Sequence, residues 1–236
     1  MAKHVLLTRE KAKNQPWADI LREAGFQVSE VPMIETVAKE MSCEADDYDW
    51  IIFTSANTVD YFLRTNELSP NIHIATIGAK TTEALQKRNF TAHFQPSAYT
   101  TDVFIEEWLD LKLQNQKILL PKSDKSRNEI AQQLTKKGHE VTEIISYETK
   151  LPNEAKQMLS RATKEHPIDI AIFASPSAWH HFLACYTRTI SEIEIASIGP
   201  VTTQAIHDSG YDVFYEAEVY TMQSLCEQLI KEELRC

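Results

Sequence analysis

The chain has 236 residues, 43% of them hydrophobic, so it can bury the core of one large domain or of two ordinary ones. Its formal net charge of -10 argues against nucleic-acid binding, because such binding depends on neutralising phosphates with lysine and arginine. No apolar stretch is long enough to cross a bilayer, and no signal-peptide pattern opens the chain. We therefore expect a cytoplasmic protein that binds neither nucleic acid nor a membrane.

Predicted strands and helices alternate along the chain. Apolar runs such as Ile51-Ile52-Phe53 are typical of parallel strands that are covered on both faces. The first half is predicted to contain, in order, strand 5–8, helix 17–24, strand 27–32, strand 50–54, helix 57–65, strand 72–77, helix 80–88, strand 92–94 and helix 102–111. The second half repeats this order from Lys117 and ends in a helix over 222–234. The pattern predicts an α/β fold with flavodoxin-like, doubly wound parallel sheets.

The chain contains an internal duplication. The segment IATIGAKTTEAL at 74–85 recurs as IASIGPVTTQAI at 195–206, and DWIIFTSANTVDYFL at 49–63 recurs as DIAIFASPSAWHHFL at 169–183. The opening VLLTR at 5–9 likewise matches ILLPK at 118–122. The spacing between the copies changes by only a few residues along the chain, which indicates short insertions in loops. The two halves are therefore one supersecondary unit that has been duplicated.

Two arrangements of the halves into domains fit this pattern. The chain divides near 114–116, or the opening strand-helix-strand of each half joins the later part of the other half. In the second arrangement the crossings are 31–39 and 144–152, and both segments are predicted to be extended. The sequence pattern alone leaves both arrangements open.

The glycine loop of each copy is a candidate binding element. We interpret each loop as a strand, a glycine turn and a helix that is opened by threonines. The turn is predicted to require Gly78 or Gly199, because a side chain would block a close approach of the backbone or a positive φ.

Polar residues at matching strand ends are further candidates. Ser55 and Ser175 end equivalent strands, and Thr81 and Thr202 open the helices after the two glycine loops. Open α/β sheets bind ligands at the carboxyl ends of their strands, which favours a role in binding. Ordinary capping of helices by Ser and Thr would also explain each residue individually.

The repeated motifs together resemble the uroporphyrinogen-III synthase family. The resemblance is carried by FTSANTVDYF at 53–62, IGAKTTEAL at 77–85, SYET at 146–149, ASPSAWHHF at 174–182, SIGPVTTQAI at 197–206 and VYTMQSL at 219–225. It implies the exchanged arrangement, in which 1–35 plus 150–236 form one flavodoxin-like domain and 36–149 form the inserted one. A two-strand linker then joins the two domains.

The resemblance also implies an activity. Members of the family cyclise hydroxymethylbilane, a linear tetrapyrrole polycarboxylate, to uroporphyrinogen III, with loss of water and inversion of ring D, in the cleft between the domains. Neither a metal nor an organic cofactor is expected. The same resemblance implies a monomer and a transient hand-over of the bilane from hydroxymethylbilane synthase. A non-catalytic two-domain protein that binds or senses a small molecule is the alternative.

Specific residues follow from the resemblance. A tyrosine occupies the linker position of Tyr147 in the family, which implies that Tyr147 is the acid that assists departure of the terminal hydroxyl. Arg9, Lys80 and Lys122 fall at predicted strand-to-helix loops. There they would supplement positive helix N-termini in binding the acetate and propionate groups of the substrate. Surface lysines and arginines are more often simply solvated.

Overall fold

The computed structural model describes residues 2–39, 43 and 47–233. In chain order its elements are β1 (His4–Leu7), α1 (Lys11–Glu23), β2 (Gln27–Glu30), β3 (Glu35–Ala38), β4 (Trp50–Phe53), α2 (Ala56–Thr65), β5 (His73–Thr76), α3 (Ala79–Gln86), α4 (Thr101–Asp110), β6 (Lys117–Ser123), α5 (Glu129–Lys136), β7 (Glu140–Lys150), α6 (Ala155–Glu165), β8 (Ile170–Phe173), α7 (Pro176–Cys185), β9 (Glu194–Ser197), α8 (Pro200–Asp208), β10 (Tyr215–Glu216) and α9 (Met222–Glu233).

The chain forms two compact units. Unit 1 comprises Met1–Thr36 and Lys150–Cys236, and unit 2 comprises Val37–Thr149. Unit 1 carries a sheet of order β10-β9-β8-β1-β2, in which the neighbouring strands run parallel. Counted along the chain of unit 1 alone, this is the flavodoxin-like order 2-1-3-4-5. The α/β class predicted from the sequence is therefore confirmed.

Unit 2 carries a second sheet, of order β3-β7-β6-β4-β5. Here β6 lies between β7 and β4 and runs parallel to both, as β1 lies between β2 and β8 in unit 1. Each sheet therefore combines the opening strands of one repeat with later strands of the other.

Both faces of each sheet are covered by apolar side chains. Ile170 and Ile172 of β8 pack in a cluster with Leu225 of α9, while Phe173 of the same strand packs with Trp179 of α7. Strand β4 of unit 2 divides its side chains between two clusters in the same way. This two-sided burial explains why the strands read as continuous apolar runs in the sequence.

The strand predicted over 92–94 is wrong. Only an isolated bridge joins Ala75 to Phe94. The Nδ1 atom of His93 accepts the backbone N–H of Ile74 at 3.0 Å, so a side chain takes the place of a ladder hydrogen bond. At the other end of the chain, the helix predicted over 222–234 is α9, and residue 234 lies outside the described residues.

A second histidine, His139, also accepts a backbone hydrogen bond. Its Nδ1 atom accepts the N–H of Gln116 at 3.3 Å, and the residue is 4% exposed. Burial lowers the pKa of His139 below the ordinary value of 6.5. Protonation of His139 is therefore less favourable in the folded chain than in the unfolded chain. The neutral His139 contributes fully to the free energy of unfolding above pH 6.5, and this contribution is lost as the pH falls below 6.5.

We expect the free energy of unfolding to decline below pH 6.5, with a contribution from His139 of at most about 1.4 kcal/mol per pH unit. Urea unfolding at a series of pH values measures the slope, and His139→Gln removes the titrating group. A variant that declines as steeply as the wild type would show that His139 does not contribute.

Candidate functional site

Helix starts gather at the carboxyl edge of the unit 1 sheet. Ser175 follows β8 and caps α7, because its Oγ accepts the N–H of Ala178 at 3.2 Å. Gly199 follows β9, and its carbonyl accepts the N–H groups of Thr202 and Thr203, each at 3.0 Å. Each helix begins with a proline, which has no N–H, and the amide of its second residue has no acceptor inside the helix, so each helix presents one N–H group at this edge. Such amides suit carboxylates.

The carboxyl edge of the unit 2 sheet repeats this geometry. Ser55 follows β4 and caps α2, with Oγ accepting the N–H of Thr58 at 3.2 Å. The carbonyl of Gly78, after β5, accepts the N–H groups of Thr81 at 2.9 Å and Thr82 at 3.0 Å. The predicted Ser and Gly positions thus lie at equivalent helix starts in the two units, and each serine is also a cap.

The side chains of Thr81 and Thr202 are less accessible to a ligand than the sequence suggested. Each is only 3% exposed, so its side chain belongs largely to the interior of its unit. Their backbone amides lie in the first turns of α3 and α8. We infer that these residues contribute to the edge through backbone geometry more than through hydroxyl groups.

The two glycines differ, although they occupy matching positions. Gly78 has φ of -128° and ψ of 152°, and a Cβ there would meet only the Oγ1 of Thr81, at 3.8 Å. The predicted steric requirement is therefore wrong at Gly78. At Gly199 a Cβ would lie 2.9 Å from Cδ1 and 3.1 Å from Cγ of Tyr220. A side chain at Gly199 would therefore be obstructed, but by the ring of Tyr220 and not for either predicted reason. The backbone at Gly199, with φ of 160°, is extended.

We expect Gly199→Ala to lower the free energy of unfolding by about 1 kcal/mol, because the added methyl forces the Tyr220 ring to move. The matched variant Gly78→Ala should stay within about 0.5 kcal/mol of the wild type, since its methyl has room. Urea unfolding of the two variants measures the difference. Equal losses in both would contradict the assigned contact.

The three predicted cations are in different surroundings. Lys122 is buried, and its Nζ donates to Oε1 of Glu143 at 2.7 Å and to Oδ1 of Asn128. It is therefore engaged inside unit 2. Lys80 is exposed in the first turn of α3. Arg9 is half-buried two residues after the end of β1, and burial lowers the pKa of its guanidinium, against a smaller opposite effect of Glu10.

Within the described part of the chain, no carboxylate forms an ion pair with Arg9. The neighbouring Glu10 is bound by the ammonium of Lys13 and by the hydroxyl of Thr36. A partly desolvated cation without an internal partner is strongly suited to binding an anion. Arg9 is thus the predicted cation whose surroundings fit that role best.

Tyr147 lies at the carboxyl edge of the unit 2 sheet. Its carbonyl accepts the N–H of Asp124, in the loop that follows β6, at 3.2 Å. The residue is 9% exposed, and its ring stacks on the ring of Tyr61 with centroids 4.9 Å apart. None of the described residues forms a hydrogen bond with its hydroxyl. A phenol held in this way has its hydrogen-bonding capacity left for a ligand.

A separate cavity of about 710 Å³ lies in unit 1 near the end of β2. Its lining includes the carboxylates of Glu10, Glu30, Glu35 and Glu154, together with Lys11. Like charges repel, so this cavity does not suit a polycarboxylate. The candidate site therefore does not include this cavity.

Comparison with known proteins decides the family. The family model for uroporphyrinogen-III synthase HemD matches residues 15–227, which span most of both units. The chain belongs to the uroporphyrinogen-III synthase family.

Individual members show how widely the similarity extends. The uroporphyrinogen-III synthase of Synechococcus elongatus is 27% identical, over 95% of this chain and 93% of its own length. The chloroplastic uroporphyrinogen-III synthase of Oryza sativa subsp. japonica is 28% identical, over 89% of this chain and 74% of its own. The structure of uroporphyrinogen-III synthetase from Helicobacter pylori 26695 shares the fold, with a TM-score of 0.70 and 19% identity over 99% of this chain and 100% of that one.

These similarities confirm the family predicted from the sequence and favour an enzyme over the alternative of a binding or sensor protein. In residues 2–39, 43 and 47–233 of this uroporphyrinogen-III synthase family member, no helix is both long and apolar enough to span a membrane. The same residues contain no group of three or more His, Cys, Asp or Glu placed to hold a metal ion.

The second threonine of each glycine loop in this uroporphyrinogen-III synthase family member was not among the residues predicted from the sequence. Thr82 lies with its Oγ1 2.6 Å from Oγ1 of Thr76 and also bonds Gln95. In unit 1, Thr203 bonds Ser197 and Glu216 in the same way. Each hydroxyl ties the first turn of its helix to the sheet. The doubled threonine in both copies was the available signal.

Proposed function

We propose that this chain cyclises hydroxymethylbilane to uroporphyrinogen III, with loss of water and inversion of ring D. The observation that carries the proposal is the family match across residues 15–227. The repeated helix starts at both carboxyl edges and the hydroxyl of Tyr147 supply chemistry that such a reaction needs.

The reaction begins with departure of the terminal hydroxyl of the bilane. Tyr147 hydrogen-bonds this hydroxyl and transfers a proton to it, so that the C–O bond breaks, water leaves, and the electron pair of the adjacent pyrrole nitrogen forms a protonated, electrophilic azafulvene. The azafulvene carbon then bonds to the already substituted carbon of ring D and forms a spiro intermediate. The bond between that ring D carbon and the methylene leading to ring C then breaks, and the methylene bonds instead to the free carbon of ring D, which inverts the ring. Loss of the proton from this carbon restores the aromatic pyrrole and returns a proton to the phenolate of Tyr147. The balanced outcome is uroporphyrinogen III and one water.

Substrate binding uses the carboxylates of the bilane. Every pyrrole carries an acetate and a propionate, so the substrate is a polyanion. The amides that open α2, α3, α7 and α8 offer hydrogen bonds at the positive ends of helix dipoles. Arg9 adds a charged hydrogen bond in unit 1, and Lys80 adds a solvated charge in unit 2. These contacts allow an acidic protein to hold an acidic substrate.

Positioning is the other contribution of the enzyme. Without it, the bilane closes to the symmetrical isomer I, so the bound shape of the chain decides the product. Fixing the reacting carbons near one another can supply a large part of the rate enhancement over the uncatalysed reaction. The hydroxyl of Tyr147 supplies a further part.

From the resemblance we propose a monomer, a cytoplasmic location and direct hand-over of the bilane from hydroxymethylbilane synthase. Sedimentation velocity of the purified chain, alone and mixed with that synthase, measures the first and the last of these.

The test supplies the bilane in place from porphobilinogen and its deaminase, with the bilane in large excess over this chain. After oxidation, the uroporphyrin isomers are separated by chromatography. We expect isomer III to exceed isomer I, with many molecules formed per protein. If only isomer I forms in the presence of folded protein, the proposed function is wrong.

A further inference from the structure

Tyr61 makes a specific contact with Tyr147. The two rings stack with centroids 4.9 Å apart and an angle of 25° between their planes. Tyr61 lies on α2, the helix that Ser55 caps, and Tyr147 lies on β7. Both residues belong to unit 2. Helix α2, which begins at the candidate site, therefore also contacts the ring of Tyr147, the proposed acid.

A bulge in β7 makes this contact available. Lys122 of β6 is opposite Ile145, but the next residue, Ser123, is opposite Tyr147, so β7 contains one extra residue at this point. Side chains alternate between the two faces of a regular strand, and an extra residue shifts that alternation. Ile144 packs in the cluster that contains residues of α2, and the bulge brings Tyr147 to that same side.

Arg64 supports the stack from α2. Its guanidinium carbon lies 4.8 Å from the centre of the Tyr61 ring, which is a cation–π contact. Arg64 is three residues after Tyr61 on the helix, so the two side chains lie on neighbouring turns of one face. The Tyr61 ring thus contacts both the guanidinium of Arg64 and the ring of Tyr147.

The duplicated half has a different contact at this position. His181 corresponds to Tyr61 in the alignment of the two copies, and its Nδ1 lies 2.6 Å from the carbonyl oxygen of Met33. Each contact joins a helix, α2 or α7, to one of the two segments where the chain passes from one unit to the other. Of these two contacts, only the one in unit 2 includes a tyrosine from such a segment. The ring stack is therefore not a contact that both halves share.

We propose that Tyr61 is a positioning residue, which fixes the ring of Tyr147 so that its hydroxyl meets the leaving hydroxyl of the bilane. The inference rests on the proposed function, and it adds a residue that acts through Tyr147. A flat stack restricts rotation and displacement of the phenol ring, while the hydroxyl itself has no partner among the described residues. Small displacements of a catalytic group cost large factors in rate.

The kinetic test compares Tyr61→Leu, which removes the ring, with Tyr61→Phe, which keeps it. Tyr61→Leu should lower kcat about 10-fold with KM within about two-fold, and Tyr61→Phe should stay within about two-fold of the wild type. In a Tyr147→Phe background, Tyr61→Leu should produce no further loss, because its effect passes through the missing hydroxyl. An equal loss in both backgrounds would overturn the proposal.

A spectroscopic test does not depend on activity. In protein labelled with 3-fluorotyrosine, the fluorine signal of Tyr147 is assigned by its absence in Tyr147→Phe. This signal should shift or broaden in Tyr61→Leu and keep its position in His181→Leu, the matched variant in the other half. An unchanged signal in Tyr61→Leu would refute the fixed stack. If the wild type makes no isomer III, the proposed function fails separately, and the fluorine spectrum still decides on the stack.

Discussion

Replacing Tyr147 by phenylalanine is expected to lower kcat about 100-fold and to leave the free energy of unfolding within about 0.5 kcal/mol of the wild type. Phenylalanine keeps the ring, its burial and its stack on Tyr61. The hydroxyl that is removed has no hydrogen bond to any described residue, so the fold loses nothing with it. A fall in turnover is then a chemical effect. Residual turnover remains, because positioning of the substrate survives.

Steady-state cyclisation assays and urea unfolding of the same preparation measure both quantities. Tyr215→Phe is the matched control, because the Tyr215 hydroxyl donates to Glu233 at 2.6 Å and the residue is buried. That variant should lose about 1–2 kcal/mol of stability and keep its kcat. Unchanged kcat in Tyr147→Phe would remove Tyr147 from the chemistry.

The second large effect is expected at Arg9. Arg9→Gln should raise KM about 10- to 100-fold and change kcat much less, because a charged hydrogen bond to a carboxylate contributes about 1.5–3 kcal/mol. Arg9 is half-buried, and no described carboxylate pairs with it, so we expect a carboxylate of the substrate to pair with its charge. Initial rates over a range of bilane concentrations separate KM from kcat.

Lys122 supplies the control, because it occupies the position of Arg9 in the duplicated half. Its ammonium is bound to Glu143, and its side chain is 8% exposed. Lys122→Met should therefore lower the free energy of unfolding by about 1–2 kcal/mol, since Glu143 is only partly buried, and leave KM within about two-fold. If Arg9→Gln leaves KM unchanged, or if Lys122→Met raises it as strongly, the assignment of the anion contact to Arg9 is wrong.

Much of the fold could be predicted because it depends on local patterns. The apolar runs at Ile51-Ile52-Phe53 and at 170–173 are typical of strands buried on both faces, and both strands lie inside their sheets with a neighbour on each side. The internal duplication then showed, from the sequence alone, that the two halves share one order of strands and helices. The pattern could not choose between a simple division and an exchange of strands. That choice depends on which long-range pairs form, such as β1 with β8 and β6 with β4.

The candidate site was predictable only in part. The Ser and Gly positions at helix starts follow from local sequence, since caps and turns are short-range features. Contacts between distant side chains carry no comparable signal. The pairing of Lys122 with Glu143, the approach of Tyr220 to Gly199 and the stack that the β7 bulge permits are all of this kind. Each depends on packing that a single sequence does not reveal.

We propose that the carboxyl edge of each sheet binds carboxylates of the tetrapyrrole through helix-start amides. The most direct measurement follows backbone amide resonances of 15N-labelled protein during titration with uroporphyrinogen III kept in its reduced form. Binding there should produce the largest shifts at the amides of 56–57, 79–80, 177 and 201, at the starts of α2, α3, α7 and α8, because the next amide of each helix already donates to a cap or to a glycine carbonyl. Shifts confined to the acidic cavity around Glu30 and Glu154, or to the opposite edges of the sheets, would contradict it.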